Sequence, residues 1–397
     1  MDITGIQHVT FSTKGGAGGV ASELNRGIIL GGGKSRIISV TNGAIPDLKF
    51  RKPILVFTAL FDYFIVRSKQ CHQLFTLFRR FIRINGSAGK SLDNEITHLH
   101  WTPGVISIDE ISKQLKSGNR IVWTLHDMWA FTGGCHFSDQ CNEFLHGCTS
   151  CPQVKPIFRT AVQKSFDRKL QALQSTNNLE IVTPSNWLKA QAQASKILAE
   201  KQIYVIPNPI DCEVFKPNQQ TQTRHTDLVI GCSAANLNET RKGIELFIKW
   251  TDDYISKFPD KKLSVLAVGS GQIISDRVEV RTTGFVSDKK ELSDLYNQMD
   301  IFVSLASSDN FPLNIGEAVA SGLPTICRDS GGMPELVDHG KTGFLVSNIE
   351  EFHESLTILI NDRELRYQMG MDARLKALQE FDTRVVTNQY LQIYANI

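Results

Sequence analysis

Apolar positions along this chain fall into two alternating patterns. Short continuous apolar runs end in polar or glycine-rich turns, and longer stretches place an apolar residue every third or fourth position. The first pattern predicts strands buried on both faces and the second predicts helices, so their alternation predicts βαβ units with parallel sheets. His8 to Ser12 reads as a strand and Thr13 to Val20 as a glycine-rich turn. A helix with Ala21, Leu24, Ile28 and Ile29 on one side follows, then a returning strand at Arg36 to Val40. Arg120 to Leu125 is the clearest central strand of this half, Glu180 to Thr183 leads into a helix cap, and Lys201 to Ile206 is its last strand. The pattern restarts at Thr226 to Ala234. Arg241-Lys242-Gly243 opens a helix running to about Lys257, with Ile244, Phe247, Ile248 and Tyr254 as its buried stripe. Strands at Leu263 to Gly271, Asp300 to Leu305, Pro324 to Cys327 and Gly343 to Val346 alternate with a helix over Lys290 to Met299 and one ending at Gly322. Helices at about 350–361 and 363–380 precede a last one from Thr383.

At 397 residues this is too long for one ordinary core, so two α/β domains are expected. The turn Pro207-Asn208-Pro209-Ile210-Asp211 is a natural boundary, giving domains at 1–207 and 208–382 with a final helix at 383–397. Apolar content of 41% and charged content of 21% are those of an ordinary globular protein. A net charge of +2 argues against a nucleic-acid partner. Met1-Asp2-Ile3-Thr4 lacks the basic start and apolar core of a secretion signal, and no run reaches the ~18–20 apolar residues of a membrane span. Scattered Cys71, Cys212, Cys232 and Cys327 fit small buried thiols in a reducing cytoplasm.

Candidate chemistry gathers at the ends of predicted strands. After Asp300 to Leu305 comes Ser308-Asp309-Asn310-Phe311-Pro312-Leu313-Asn314-Ile315-Gly316-Glu317-Ala318, read as strand, polar loop and helix. In an open α/β sheet such loops line the ligand crevice, and helix-start amides favour an anion such as a diphosphate. Read blandly, Asp309 and Asn310 cap the helix and Glu317 is a solvated residue. Gly15, Gly16 and Gly18 let backbone approach an anion closely, although such turns also serve simple packing. Gly31-Gly32-Gly33-Lys34-Ser35 is not a phosphate loop, because the first glycine of that pattern would fall on Ile28 and a helix precedes it. His126 and Asp127 follow the central strand, where a histidine more often faces a ligand than within a core strand.

Cys135, Cys141, Cys148 and Cys151 crowd into one short loop, a spacing that suits a structural Zn²⁺ holding irregular backbone; two disulfides are the rival reading. The stretch from Arg67 to Ile84 mixes arginines with Leu74, Phe75, Leu77, Phe78 and Phe81. It reads either as a helix lying on an anionic membrane face or as a surface helix packed on the sheet. Asn85 to Glu95 reads as a mobile loop.

The segment Asp309 to Glu317 resembles the acidic-x7-acidic signature of family 4 retaining nucleotide-sugar glycosyltransferases. Asp309-Asn310-Phe311-Pro312 and the string Thr124 to His136 resemble the bacterial exopolysaccharide and colanic-acid biosynthesis members. Asp309 stands where the common pattern has Glu, and Asn236 stands where the family has a companion Arg six residues before its basic residue. Thr183-Pro184-Ser185-Asn186-Trp187 and the turn after Ile206 also match. The resemblance implies a GT-B fold: two facing Rossmann-like domains with a cleft between them, acceptor side first and donor side second, the last helix returning to the first domain. It implies transfer of a sugar from a UDP-, GDP- or ADP-sugar to a hydroxyl on a glycan or lipid-linked glycan, with retention and without a catalytic metal. By the same resemblance Lys242 would stabilise the leaving diphosphate, helped by Arg241, Glu317 would hold the ribose and Asp309 the donor sugar. His126 would contact the donor sugar or the reacting centre, and Asp127 would position the acceptor or a neighbouring loop. Gly15, Gly16, Gly18 and residues Asn310, Phe311, Pro312, Leu313 and Asn314 would face the donor. A cytoplasmic protein, peripheral on the inner face of the plasma membrane, is the implied setting. An epimerase of the same fold and a non-catalytic sugar-nucleotide binder are the alternatives.

Overall fold

The computed structural model describes residues 5–40, 60–66, 75–77, 95–174, 176–218 and 228–397. Most of the basic stretch between Arg67 and Ile84, and the expected loop from Asn85 up to residue 94, lie outside them. Two compact units are present. One comprises Met1–Pro207 with Thr387–Ile397, the other Asn208–Val386, so the last helix, Thr383–Asn396, begins in the second and ends in the first.

The first unit carries six parallel strands: β1 (Gly5–Thr10), β2 (Ser35–Ser39), β3 (Glu95–Leu99), β4 (Ile121–Thr124), β5 (Leu179–Thr183) and β6 (Ile203–Val205), in the order β2-β1-β3-β4-β5-β6. The second carries β7 (Leu228–Asn236), β8 (Leu263–Ser270), β9 (Glu279–Thr282), β10 (Ile301–Ser304), β11 (Thr325–Arg328) and β12 (Gly343–Val346), in the order β12-β11-β10-β7-β8-β9. Every strand neighbour is parallel. In each sheet the chain leaves its first strand to one side and later returns on the other. The strand order therefore reverses between β1 and β3, and between β7 and β10. Loops leaving the carboxyl ends of those strands diverge there, which opens a crevice for a ligand.

The apolar pattern explains the packing. Leu24 and Ile28 of the helix Gly16–Leu30 are buried, whereas Ile29, expected on the same face, is 51% exposed because the helix turns it past the sheet. The core of the first unit is built on Val9, Leu99, Ile121, Trp123, Phe131 and Phe166. In the second unit, strand side chains alternate between two apolar layers: Leu266 and Phe302 pack on one side, Val265 and Ile301 on the other. Arg374 ties the helix Leu313–Ala320 to the chain just after the Pro207–Asp211 turn. Its guanidinium donates to the carbonyls of Ala320 at 2.8 Å, Phe215 at 2.7 Å and Cys212 at 2.8 Å. That satisfies an orphan carbonyl at the helix end with a charged donor.

Arg241 and Lys242 differ from expectation in their element. They belong to a separate 3-10 turn, Thr240–Lys242, and the α-helix begins only at Ile244. Gly243 between them has φ 67°, and a Cβ there would stand 2.0 Å from the Leu305 carbonyl oxygen. The Ser307 amide also donates to the Arg241 carbonyl at 2.9 Å, so the turn is pressed against the loop after β10. Both backbone strain and contact therefore require glycine. We expect Gly243→Ala to cost about 2–4 kcal/mol, read as a fall of roughly 5–10 °C in Tm. An unchanged melting temperature would overturn this account of the turn.

Candidate functional site

At the order reversal of the second sheet, β7 runs into the turn that carries Arg241 and Lys242, and β10 runs into the loop that carries Asp309. Lys242 Nζ donates to Asp309 Oδ2 at 2.8 Å, and Arg241 Nη1 reaches the same oxygen at 3.2 Å. Arg241 also donates to the Ser308 carbonyl at 2.8 Å and pairs with Glu239 at 2.8 Å. The guanidinium is thus engaged by the loop it holds, whereas Lys242 makes a single-point contact on a flexible stem. Burial raises the Asp309 pKa, but Lys242 and Arg241 outweigh it and the net shift is downward. An ionised Asp309 answers the question posed by two cations beside a helix start, where the dipole opposes them.

Gly331 and Gly332 back this loop from the turn after β11. A Cβ on Gly331 would lie 2.3 Å from the Asp309 carbonyl oxygen, and the Gly332 amide donates to that oxygen at 2.9 Å. Asn310, Phe311 and Pro312 are buried. Phe311 packs edge-on against Phe381, and its carbonyl accepts from Asn208 at 3.1 Å. Asn314 is spent on the Ser233 carbonyl at 2.7 Å. Of the residues expected to face a donor, these therefore turn side chains inward and hold the loop. The helix Leu313–Ala320 starts at Leu313 with Pro312 as N-cap and no cap from that side chain; the Ile315 amide donates to Asn314 Oδ1 at 3.0 Å, and the Pro312 carbonyl accepts from the amides of Ile315 and Gly316 at 3.2 and 3.3 Å.

Glu317, four residues past the helix start, is half-buried and accepts a hydrogen bond from the Tyr296 hydroxyl at 3.0 Å. Tyr296 in turn exchanges a hydrogen bond with Ser233 at 2.9 Å. Burial is the main cause that lifts the Glu317 pKa from 4.5 to about 7, with Tyr296 and Lys289 opposing it. Tyr296 was not singled out in the sequence, where it reads as one more apolar position of the helix Lys289–Tyr296. Asn236, in the companion position, accepts from the Asn238 amide at 3.0 Å.

In the first unit the order reversal brings together the glycine turn after β1 and the residues after β3. Gly15 has φ 78° and open space where a Cβ would stand; Gly16 is equally open. Gly18 is different, because a Cβ there would meet the Ser12 carbonyl at 2.1 Å, so it serves close packing. His126 follows β4 and shares a hydrogen bond of 3.0 Å with His100. Burial lowers its pKa from 6.5 to about 4, with Asp127 opposing, so it is neutral at pH 7. Asp127 faces the loop that follows. Its two oxygens take His136 Nδ1 at 2.8 Å and the Trp129 amide at 2.7 Å, and His136 continues to Thr76 at 2.9 Å.

Cys135, Cys141, Cys148 and Cys151 are free thiols of one loop, and burial raises the pKa of each. Mutual repulsion adds to it for Cys135, whose neighbours include the other three. Lys169 is buried beside them and donates to the Thr132 carbonyl at 2.9 Å, which pins the strand-side edge of the loop. Among the described residues, the set whose ligand atoms lie within 4.8 Å of one another is His8, His98 and His100, not these thiols.

Glu317 generates a pH test. A carboxyl whose folded pKa is raised destabilises the fold once ionised: the penalty is absent below pH 4.5 and complete above about 7. The full shift would correspond to ~3 kcal/mol, and partial exposure reduces this to about 1–2 kcal/mol. Glu317→Gln keeps an acceptor for Tyr296 and should stabilise the free protein by that amount at pH 8 and by much less at pH 5. Urea unfolding at both values checks it, and a difference independent of pH would overturn the assignment.

The site's residues fall within a recognised domain. Residues 228–362 match the family model described as glycosyl transferases group 1. A glycosyl transferase of Escherichia coli (strain K12) named for colanic acid biosynthesis, WcaC, is 26% identical over 354 residues, covering 83% of this chain and 84% of that protein. Among solved structures, a glycosyltransferase from Rickettsia africae ESF-5 aligns with a TM-score of 0.65 at 17% identity, over 100% of this chain and 99% of that one. Anabaena Alr3699/HepE, solved in complex with UDP, aligns with a TM-score of 0.62 at 14% identity, over 99% and 100%. Among the described residues no helix is long and apolar enough to cross a membrane. The chain is therefore a glycosyltransferase of the GT-B fold that carries a glycosyl transferases group 1 domain, in keeping with family 4.

Proposed function

We propose that the second unit binds a nucleoside-diphosphate sugar through Lys242 and backbone amides at the start of the helix Leu313–Ala320, and that the chain transfers the sugar with retention and without a catalytic metal. The observation that carries this reading is the Lys242–Asp309 ion pair at 2.8 Å, on the loop that leads into the helix Leu313–Ala320 at the order reversal of its sheet. A diphosphate arriving there replaces one carboxylate oxygen with several charged oxygens, and Lys242 can swing to them while Arg241 keeps Asp309 and the loop in register. Glu317, one turn deeper on the same helix, suits a ribose diol: its carboxylate accepts from two hydroxyls once ionised.

In the reaction the bond between the sugar's anomeric carbon and the diphosphate oxygen breaks, and the acceptor hydroxyl oxygen bonds to that carbon on the same face. The hydroxyl proton leaves with the diphosphate. Negative charge builds on the leaving group, and the Lys242 cation and backbone amides held against it stabilise it by roughly 3–4 kcal/mol each. Support for the donor class comes from Alr3699/HepE, whose structures hold UDP and UDP-glucose. Support for a glycan acceptor of a cell-surface polymer comes from the name of the E. coli relative. A structural zinc on Cys135, Cys141, Cys148 and Cys151 belongs to the same proposal. It would draw the four thiols together and release their protons.

Lys242→Ala should lower turnover by roughly 10²–10³ with the melting temperature retained, and should abolish the thermal shift given by the best of a panel of UDP-, GDP- and ADP-sugars. Near-normal turnover, or no shift of the unmodified protein by any of the three, would sink the reading. Metal analysis of protein purified without chelator should find one zinc per chain, lost in Cys148→Ser; a metal-free, folded protein would remove zinc from the account.

A further inference from the structure

The loop from Met128 to His136 hangs from one carboxylate, and it holds in turn a tryptophan that no part of the proposed donor chemistry uses. Asp127 accepts from the Trp129 amide on one oxygen at 2.7 Å and takes His136 Nδ1 on the other at 2.8 Å. The far nitrogen of that imidazole, Nε2, meets the Thr76 hydroxyl at 2.9 Å. Thr76 is itself fixed: its amide donates to the Gly134 carbonyl at 2.8 Å, and its carbonyl accepts from the Trp129 indole at 2.9 Å. His136 is 1% exposed, so bonds at both nitrogens and close packing set the plane of its ring. Trp101 lies flat on that plane, with ring centroids 4.5 Å apart and an angle of 1° between the rings.

Tryptophan carries one of the largest apolar surfaces of any side chain, and the other four in this chain spend it on the cores. Trp123 and Trp129 belong to the core of the first unit, Trp187 packs against it, and Trp250 packs against an apolar layer of the second. Among the described residues Trp101 belongs to none of the apolar clusters and packs against none of them. It is half-buried, and no hydrogen bond engages its indole N–H among the described residues. Its main chain puts it at the parting of the strands. Trp101 lies two residues past the end of β3, and its carbonyl accepts from the amide of Phe11, one residue past β1, at 3.2 Å.

A half-open planar ring, backed by an imidazole of fixed orientation and set at the order reversal of its sheet, is a surface for stacking. The ring's face is the negative side of its quadrupole. It suits the polarised C–H groups on the less polar face of a pyranose and disfavours a phosphate or a carboxylate. Hydroxyls around the sugar's rim can then accept from the indole N–H. We propose that Trp101 is the stacking platform for an acceptor glycan in the first unit, with His136 and Asp127 as positioning residues that fix the plane of its ring. The acceptor's identity rests on the reading of this protein as a sugar transferase. With the donor given to the second unit, the sugar ring left for the first unit is the acceptor's. Asp127 then acts on the acceptor only through the loop it holds. Packing alone would make Trp101 a cover for the buried Asp127–His136 pair, and a cover predicts lost stability with unchanged ligand binding.

Two measurements separate these uses of the ring. In full-length protein labelled with 15N at tryptophan, Trp101→Phe identifies the Trp101 indole signal. That signal should exchange rapidly with water, whereas those of Trp123 and Trp129, 2% and 4% exposed, should not. Methyl β-glycosides of glucose, galactose, mannose and N-acetylglucosamine are the probes. At least one should shift the Trp101 signal, and inorganic pyrophosphate should leave it in place. Calorimetry with the glycoside that moves it most should show binding weakened roughly tenfold in Trp101→Ala, with the thermal shift given by the best nucleotide-sugar retained. Trp101→Phe, which keeps a ring, should recover most of that affinity. A Trp101 signal that none of the four glycosides moves overturns the proposal, and so does a folded Trp101→Ala protein that binds the glycoside normally. Phe no better than Ala rules out stacking, and loss of the nucleotide-sugar shift in Trp101→Ala gives the ring to the donor instead. Should Trp101→Ala not fold, Trp101→Phe and the wild-type spectra decide. Failure of the sugar-transferase reading is distinguishable, as glycosides that shift Trp101 in a protein that no nucleotide-sugar stabilises.

Discussion

The constraint on which the rest depends is the reversal of strand order in each parallel sheet. β1 and β7 each start in the interior of their sheet, so consecutive crossovers must go to opposite sides of them. A right-handed crossover then sends the neighbouring helices to opposite faces, and the loops between them part. Everything chemical in this protein is hung from those partings. The glycine turn and His100 follow β1 and β3, and Lys242 and Asp309 follow β7 and β10. Backbone amides exposed at such a place cannot all be satisfied within the sheet, and a charged ligand can serve them.

The two partings are furnished differently. In the second unit the residues are ionic: two cations share Asp309, and Glu239 holds the second face of Arg241. Without a ligand the four charges sum to zero, which keeps Asp309 ionised in a part-buried site. A diphosphate would add negative charge to a balanced set, so its binding relies on amides as well as on Lys242. In the first unit the network is neutral throughout, made of imidazoles and hydroxyls. A buried neutral network costs little when its members are satisfied, and among the described residues His8 Nε2 is a buried atom of this one without a hydrogen-bond partner.

Much of this architecture was legible in the chain. Continuous apolar runs between glycine and proline marked most strands of both sheets to within two or three residues, because strands buried on both faces need no alternation. The acidic-x7-acidic spacing drew attention to Asp309 and Glu317 without any knowledge of their neighbours. What escaped notice has a common cause in long-range satisfaction. β3 was passed over because Glu95, Thr97 and His98 make it look polar. Those groups are buried by partners far away in sequence, such as Arg36 for Glu95 and Tyr394 for His98. The resemblance gave Asp309 to the donor sugar, and its pairing with Lys242 and Arg241, 67 and 68 residues earlier, is a contact that no local pattern shows. Gly243 looked like part of a helix start, and only its positive φ and the Leu305 carbonyl explain why Lys242 stands outside the helix.

Tyr296 and Glu317 show how a local stability cost and the proposed binding role would coincide. A carboxyl at a helix's second turn is ordinarily solvated and ionised, yet here the Tyr296 hydroxyl is its hydrogen-bond partner among the described residues, and burial lifts its pKa to about 7. Such a group gains from any ligand that brings two further donors, because each hydrogen bond to the charged form lowers its pKa and removes part of the penalty. A ribose diol has that valence; a single hydroxyl or a phosphate does not. On the proposed reading that cost would be returned on binding, and selectivity for a nucleoside over an inorganic diphosphate would follow from the same carboxylate.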